Sequence, residues 1–357
     1  LSRHGPLAAL RHALFDSWGN TFTTLVILTV LAWALPPLVG WGVTHAVFAP
    51  DNIACRAAHD AAPASGACWG VVAEKGRLIL FGRYPYAEQW RPLLACGLLV
   101  ALLVASCLRP FWKPWLAALW LIALGSFTLL MRGGIADLPE VDSTQWGGFP
   151  LTLLLSTVSI ALAFPLAVLV ALGRQSHLPV IRSLCVVYVE LVRGVPLISV
   201  LFMASFMFPL FMPQGLKIDV LLRVLVGMTL FTAAYLAEVM RGGLQAVPRG
   251  QVEAAQALGL GYWLTVRKVV LPQALRAVVP ALVNSFISSF KDTSLVTVVS
   301  MYDLTGALQL ALGDADWRKF FLEGQLFVAA VYFICCYAMS RYSRWVESYL
   351  NQGTRRL

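Results

Sequence analysis

Apolar runs of about twenty residues recur along this chain, each long enough to cross the hydrocarbon of a bilayer as a helix. Eight such runs read as spans, at approximately 24–43, 92–108, 114–131, 150–172, 196–212, 220–240, 274–300 and 322–340. A lipid-embedded segment must satisfy its own backbone polar groups, so the expected fold is an all-α polytopic membrane protein of about eight transmembrane helices. Composition agrees: 59% of residues are hydrophobic and 13% charged, outside the range of soluble domains. Residues 184–192, just before Pro196, are also apolar and read as a re-entrant or kinked start to the fifth span.

Positive charge orients the spans. With the amino terminus cytoplasmic, the inner segments hold sixteen Lys and Arg against five acids, and the outer segments ten against twelve, while Lys291 and Asp292 cancel within a span. Both termini and the loop at 241–272 are therefore expected inside. On the inner face the count includes Arg3, Arg11, Arg355 and Arg356. The net charge of +9 is spread by topology and not gathered into one aromatic-flanked patch, which argues against nucleic acid as a partner. No phosphate-binding Gly-x4-Gly-Lys-Ser/Thr loop, catalytic triad order or HExxH motif occurs, so an enzyme reading has no support. His4, His12, His45, His59 and His177 are scattered and read as incidental. The first residue is not Met, and no cleavable signal segment is evident.

Between the first two spans lies a long outer loop, 45–91, too polar to cross a membrane. It holds Cys55 and Cys68, the two of seven cysteines placed outside. An oxidising compartment would allow them to pair; two free or lipid-shielded thiols is the other reading. Cys96, Cys107, Cys185, Cys335 and Cys336 fall in or beside apolar runs as small buried hydrophobes, and no metal-ligand spacing occurs among the seven.

Residues 245–272 differ from their apolar surroundings. Glu253, Ala254, Ala255 and Gln256 favour a helix, Gly259 suits a left-handed C-cap, and a second short helix over 262–270 is expected to end near Pro272. Two short helices meeting at a glycine, held by a span on either side, make a knob suited to a groove. Glu253-Ala254-Ala255, Gly259, Leu271 and Pro272 follow the spacing EAA-x3-G-x9-I-x-L-P, with Val269 at the Ile position. In this the segment resembles the coupling loop of ABC-importer membrane subunits. Leu151-Thr152-Leu153, the tract from Glu190 to Leu197, Leu271-Pro272-Gln273-Ala274 and Lys291-Asp292-Thr293-Ser294-Leu295 look like the polar amino-acid uptake branch of that family.

The resemblance covers roughly 147–350. It implies a five-span permease core at 146–350 with its coupling loop at about 241–272, preceded by a three-span extension at 1–145, an architecture similar to the larger permease subunit of general L-amino-acid transporters. It further implies an inner-membrane transport subunit with no cofactor of its own, ATP and Mg being bound by two separate ATP-binding subunits. A second permease subunit would share the path, as a heterodimer because a chain with three extra spans suits a shorter partner. A periplasmic amino-acid-binding protein would dock outside, where 302–323 offers Asp303, Asp314, Asp316, Trp317, Arg318 and Lys319, or forms only a solvated charged loop. In the coupling loop, Ala254 and Ala255 would allow close approach, Glu253 would meet a basic group, and Gly259 would set the angle between the helices.

Polar residues inside apolar spans mark paths, because leaving them in lipid is costly. Asn284, Ser288 and Lys291 share a helical face, with Asp292 beside it and Ser294 beyond. The Lys–Asp pair reads either as a contact for the two charges of a zwitterionic amino acid or as a structural ion pair. Glu190 and Arg193, three residues apart on a helix, should lie together, with Gly194 and Pro196 breaking that helix into an elbow: a gate or scaffold at the inner mouth, or an interfacial anchor. Two other functions remain in view. An ion-coupled secondary transporter would carry inverted repeats, and a non-transporting scaffold would be dominated by the first three spans.

Overall fold

The structure, a computed structural model, describes residues 14–61, 66–135, 137–213, 215 and 217–351. The expectations for Arg3, His4, Arg11, His12, Arg355 and Arg356 lie outside the described residues. Among those described, the one strand is Tyr302–Asp303 and the rest of the regular structure is helical. Among the described residues, seven helices are long and apolar enough to cross a membrane: Trp18–Thr44, Tyr86–Cys107, Trp115–Arg132, Gly148–Arg174, Val220–Ala246, Tyr262–Val299 and Arg318–Tyr349. The expected span at 196–212 is not a straight helix. Pro179–Gly194 and Leu197–Phe211 meet at 105° and make an eighth span only if counted together.

The chain divides into two compact units, residues 1–76 with 314–324, and residues 77–313 with 325–357. This is a different cut from the boundary near residue 145 read from the sequence. In the first unit, α1 (Trp18–Val39) starts at Ser17, whose side chain accepts the Asn20 N–H at 3.1 Å. None of its residues is buried, as suits a helix apolar on every side. The segment expected as an irregular outer loop is folded: it holds α2 (Asn52–Ala61) and the start of α3 (Gly70–Phe81). Asp51 starts α2 by accepting the Ile53 N–H at 2.9 Å. Val47 N–H donates to Ala67 O and Trp69 N–H to Val47 O, each at 2.8 Å. Cys55 and Cys68 are joined by a disulfide, with Cα atoms 5.7 Å apart. Segment 314–324 is tied to these elements by Arg56–Asp316, by Lys75 Nζ at 3.0 Å from Asp314, and by Cys68 N–H donating to Glu323 Oε1 at 2.9 Å. The Lys75 ammonium holds the Asp314 carboxyl below the usual carboxylate range.

The second unit contains α4 (Trp90–Cys107), α5 (Trp115–Arg132), α6 (Gly148–Arg174), α7 (Pro179–Gly194), α8 (Leu197–Phe202), α9 (Val220–Ala246), α10 (Arg249–Ala257), α11 (Tyr262–Thr265), α12 (Leu271–Asp292), α13 (Leu304–Leu312) and most of α14 (Phe321–Asn351). Small residues let its spans close up: Ala163, Ala167 and Ala171 of α6 pack with Ala233 and Ala237 of α9 and Ala274 of α12. Gly243 of α9 is where two backbones meet, since a Cβ there would lie 2.8 Å from Ala274 O and 2.7 Å from Val278. Toward the other end, Leu151 and Leu155 meet Leu201, Met228 and Val296. Leu99, Phe127 and Met131 fasten α4 and α5 to Leu153 and Leu154 of α6. Tyr302–Asp303 bridges Gly147–Gly148, and Asp303 caps α13 by accepting the Gly306 N–H at 2.9 Å.

Candidate functional site: a coupling loop, a charged elbow and a polar cavity

The loop after α9 is closed by three backbone bonds. Leu258 N–H donates to Ala254 O at 3.1 Å, Gly259 N–H to Gln256 O at 2.8 Å, and Leu260 N–H to Ala255 O at 3.1 Å. The last two form the Schellman closure, which needs a left-handed residue after the C-cap. Gly259 supplies it at φ 77°. The space around a Cβ at Gly259 is open, so backbone conformation and not crowding demands the glycine. Glu253 and Ala254 are exposed, but Ala255 is 3% exposed. Only one of the two alanines therefore faces outward; the other lets α10 pack against its own chain. Leu258, Tyr262 and Trp263 are exposed as well.

The second helix of the loop does not end at Pro272. α11, a π-helical turn over Val266–Val270 and α12 continue as one helical rod, Tyr262–Val299. The wider turn falls just before Pro272, and Pro272 sits in the first turn of α12, where its missing N–H and ring are best accommodated. Leu271 is half-buried and Pro272 exposed. The knob is thus one short helix folded against the end of a long rod.

At the elbow, α7 ends at Gly194, Val195 is extended, and α8 starts after Pro196. Glu190 and Arg193 share α7 but make no ion pair with each other. Arg174, the last residue of α6, lies 3.1 Å from Glu190 and 2.6 Å from Glu238 of α9. Arg193 lies 3.6 Å from Glu238, and Arg241 binds the other Glu238 oxygen. Glu238 thus gathers three arginines from three helices, and its attraction for Arg193 outcompetes the exposed Glu190 one turn away. Arg241 also donates to Gln245 at 2.9 Å, which carries the network toward the coupling loop.

A cavity of about 690 Å³ opens at this elbow. Arg193, Gly194 and Pro196 form one wall, Thr232 and Tyr235 of α9 another, and Asn284, Ser285, Ser288 and Asp292 of α12 a third. Thr232 Oγ1 and Ser289 Oγ lie 3.2 Å apart and bind α9 to α12 at its base. Lys291 and Ser294 do not line it. The polar stripe advances by four residues, from 284 to 288 to 292; at about 100° per residue this centres it on Ser288 and turns Lys291 roughly 60° from that centre and about 100° from Asp292. The cation that lines this space together with Asp292 belongs to Arg193 of another helix, which is paired with Glu238.

Within the segment 302–323, Asp303 has no exposure and Trp317 is 3% exposed, so neither is available for docking, whereas Asp314, Lys319 and Asp316 retain exposed surface. Cys96 is buried and Cys107, Cys185, Cys335 and Cys336 are half-buried. No group of three or more His, Cys, Asp or Glu suited to a metal occurs among the described residues. Sequence reasoning did not assign Arg174, Glu238, Thr232 or Tyr235 to the site. A carboxylate within the apolar span 220–240 was the available signal, because such a group needs a charged partner inside the protein.

Residues 163–356 match the family described as binding-protein-dependent transport system inner membrane component. The inner membrane amino-acid ABC transporter permease protein YhdY of Escherichia coli (strain K12) is 45% identical over 351 residues, covering 96% of this chain and 93% of that protein. The glutamate/glutamine/aspartate/asparagine transport system permease protein BztC of Rhodobacter capsulatus is 36% identical over 417 residues, covering 99% of this chain and 96% of that protein. A crystal structure of an amino acid ABC transporter with histidines is similar at a TM-score of 0.50 and 29% identity, covering 59% of this chain and 92% of that one.

Proposed function

The chain belongs to the family of binding-protein-dependent transport system inner membrane components and is a multi-pass permease subunit of an ABC transporter; on that premise we propose that it imports amino acids through a path it shares with a second permease subunit. One observation carries this reading: the rod Tyr262–Val299 joins the exposed coupling loop at one end to the cavity wall of Asn284, Ser288 and Asp292 toward the other. A push on the loop would therefore reach the cavity without crossing a hinge. The cavity has the chemistry of a zwitterion site, with Arg193 for the carboxylate, Asp292 for the ammonium, and Asn284, Ser285 and Ser288 as neutral hydrogen-bonding groups. Its open side is to be closed by the second permease, which we take to be a shorter, different chain.

ATP and Mg belong, on this reading, to two separate ATP-binding subunits. One of them receives Glu253, Ala254, Leu258, Tyr262 and Trp263; Glu253 meets a basic group there, and Ala254 permits close approach. A periplasmic amino-acid-binding protein delivers substrate to the outer face. Both termini and the coupling loop are cytoplasmic, following the excess of Lys and Arg on that side. Residues 1–145 form an extension of three spans on a five-span core at 146–350. Ion-coupled transport and a purely structural role are not favoured, because the relatives that match end to end are ABC permeases.

The test is ATP hydrolysis and uptake by the purified complex in liposomes, with loaded binding protein and a panel of amino acids. Arg193→Gln and Asp292→Asn should each raise the substrate concentration needed for half-maximal uptake by roughly tenfold, the cost of one charge-assisted contact. Uptake driven by an ion gradient with no ATPase attached, or full uptake by both variants, would overturn the proposal.

A further inference from the structure

On the face of α12 turned away from the polar cavity lies a second cleft, of about 560 Å³, between the α4–α5 pair and the remaining helices of its unit. Val100 and Leu103 of α4, Trp120 of α5, Ile160 of α6, Phe286 of α12 and Met339 of α14 line it. Its lining is almost wholly apolar, and the hydroxyl of Ser156 is already bonded to Thr152 O at 2.8 Å. Water would find few partners there, whereas hydrocarbon would lose nothing. The six lining residues belong to spans, so the cleft lies at membrane depth.

One end of this cleft has a distinct chemistry. The α14 stripe that begins at Ala338 and Met339 continues through Tyr342, Trp345 and Tyr349 at helical spacing, with ring centroids 5.7 Å and 6.1 Å apart. Arg109, just past the end of α4, lies 3.3 Å from the centroid of the Tyr349 ring and 5.8 Å from that of Trp345. Trp120 Nε1 donates to Ser106 Oγ at 3.1 Å and Trp112 Nε1 to Ser106 O at 2.8 Å, placing indoles at the depth where a bilayer meets water. Arg109 and Lys113 follow the end of α4, Arg341 and Arg344 lie with Glu347 in the last turns of α14, and no ion pair to any of the four cations occurs among the described residues. Leu103 is six residues before Arg109, about 9 Å along a helix, well within the roughly 15 Å of one leaflet's hydrocarbon.

We propose that this cleft is the seat of an anionic phospholipid, with an acyl chain between the α4–α5 pair and α14 and the phosphate on Arg109 and its neighbouring cations. The guanidinium stacks on Tyr349 through its face and keeps its N–H edge for phosphate oxygens. The lipid acts as mortar at a seam where protein packing leaves a gap. Alternation of the spans puts this headgroup site on the same membrane face as the loop at Arg249–Ala257, whichever compartment that face meets.

The experiment uses the full chain in its purified complex, delipidated in detergent and titrated with phosphatidylglycerol or phosphatidylethanolamine, with bound lipid read by native mass spectrometry. The wild type should retain phosphatidylglycerol in preference to phosphatidylethanolamine. Arg109→Gln should cut that preference about fivefold, the loss of one basic residue at an anionic headgroup, while leaving phosphatidylethanolamine retention unchanged. Ala338→Trp, which fills the cleft, should abolish retention of both. Equal retention of the two lipids by the wild type, or none, overturns the proposal irrespective of how the variants fold. Undiminished retention in Ala338→Trp overturns it as well.

Discussion

Asp303 shows how a single side chain can organise the end of a bundle at a measurable cost. Its carboxylate has no exposure and accepts from Gly306 N–H at 2.9 Å, Thr297 Oγ1 at 3.1 Å and Tyr332 Oη at 2.9 Å. Burial nevertheless raises its pKa above the ordinary carboxylate value. The folded state then binds the proton more tightly than the unfolded chain. The resulting contribution to stability is complete below the unfolded value of about 3.9 and is lost as pH rises through the raised folded value. Asp303→Asn keeps an acceptor but removes the titration. Thermal unfolding of both proteins across the acid range should show the variant gaining on the wild type as pH rises toward neutrality. A constant difference at every pH would refute this account. Sequence reading placed Asp303 on a docking surface, because a charge beside a span reads as solvated; only the contacts of Thr297 and Tyr332 put it inside.

The coupling loop and its rod make the case at the scale of elements. Gly259 was legible as a C-cap because few residues tolerate φ 77°, and its neighbours give the helix its length. Gly259→Ala should cost about 1 kcal/mol of local stability, since the space is open and only the backbone is strained. The complex should still assemble. Gly259→Arg adds a long side chain on the exposed flank, and we expect normal membrane insertion with loss of the ATP-binding subunit on co-purification and loss of uptake. Normal uptake by Gly259→Arg would remove the loop from the coupling path. Pro272 was misread as a stop because proline ordinarily ends a helix; the π turn at Val266–Val270, invisible to residue spacing, lets the rod continue. Glu190 and Arg193 were read as one pair because helical spacing makes them neighbours. The ordering of partners was set by Glu238 and Arg174, which belong to other helices.

For the whole molecule, the unit built from residues 1–76 and 314–324 depends on a short covalent loop. Cys55 and Cys68 are thirteen residues apart, and closing such a loop stabilises by on the order of 3 kcal/mol. Cys55→Ser should leave the spans inserted but expose residues 45–76 to added protease at the outer face, while the oxidised wild type resists. Equal cleavage of both would show that the ion pairs of Asp314 and Asp316 suffice without the disulfide. By itself the sequence determined the membrane setting, the number of spans to within the bent one, and the short helix capped at Gly259. Those properties follow from local length, hydrophobicity and spacing, which any stretch of chain carries with it. The tertiary structure alone decided that Arg193 and not Lys291 lines the polar cavity with Asp292, that Glu238 gathers three arginines, and that an apolar seam runs beside α12. Each of these depends on the rotation of one helix against another, and that rotation is set by small residues such as Ala274 and Gly243 at contacts between segments distant in the chain.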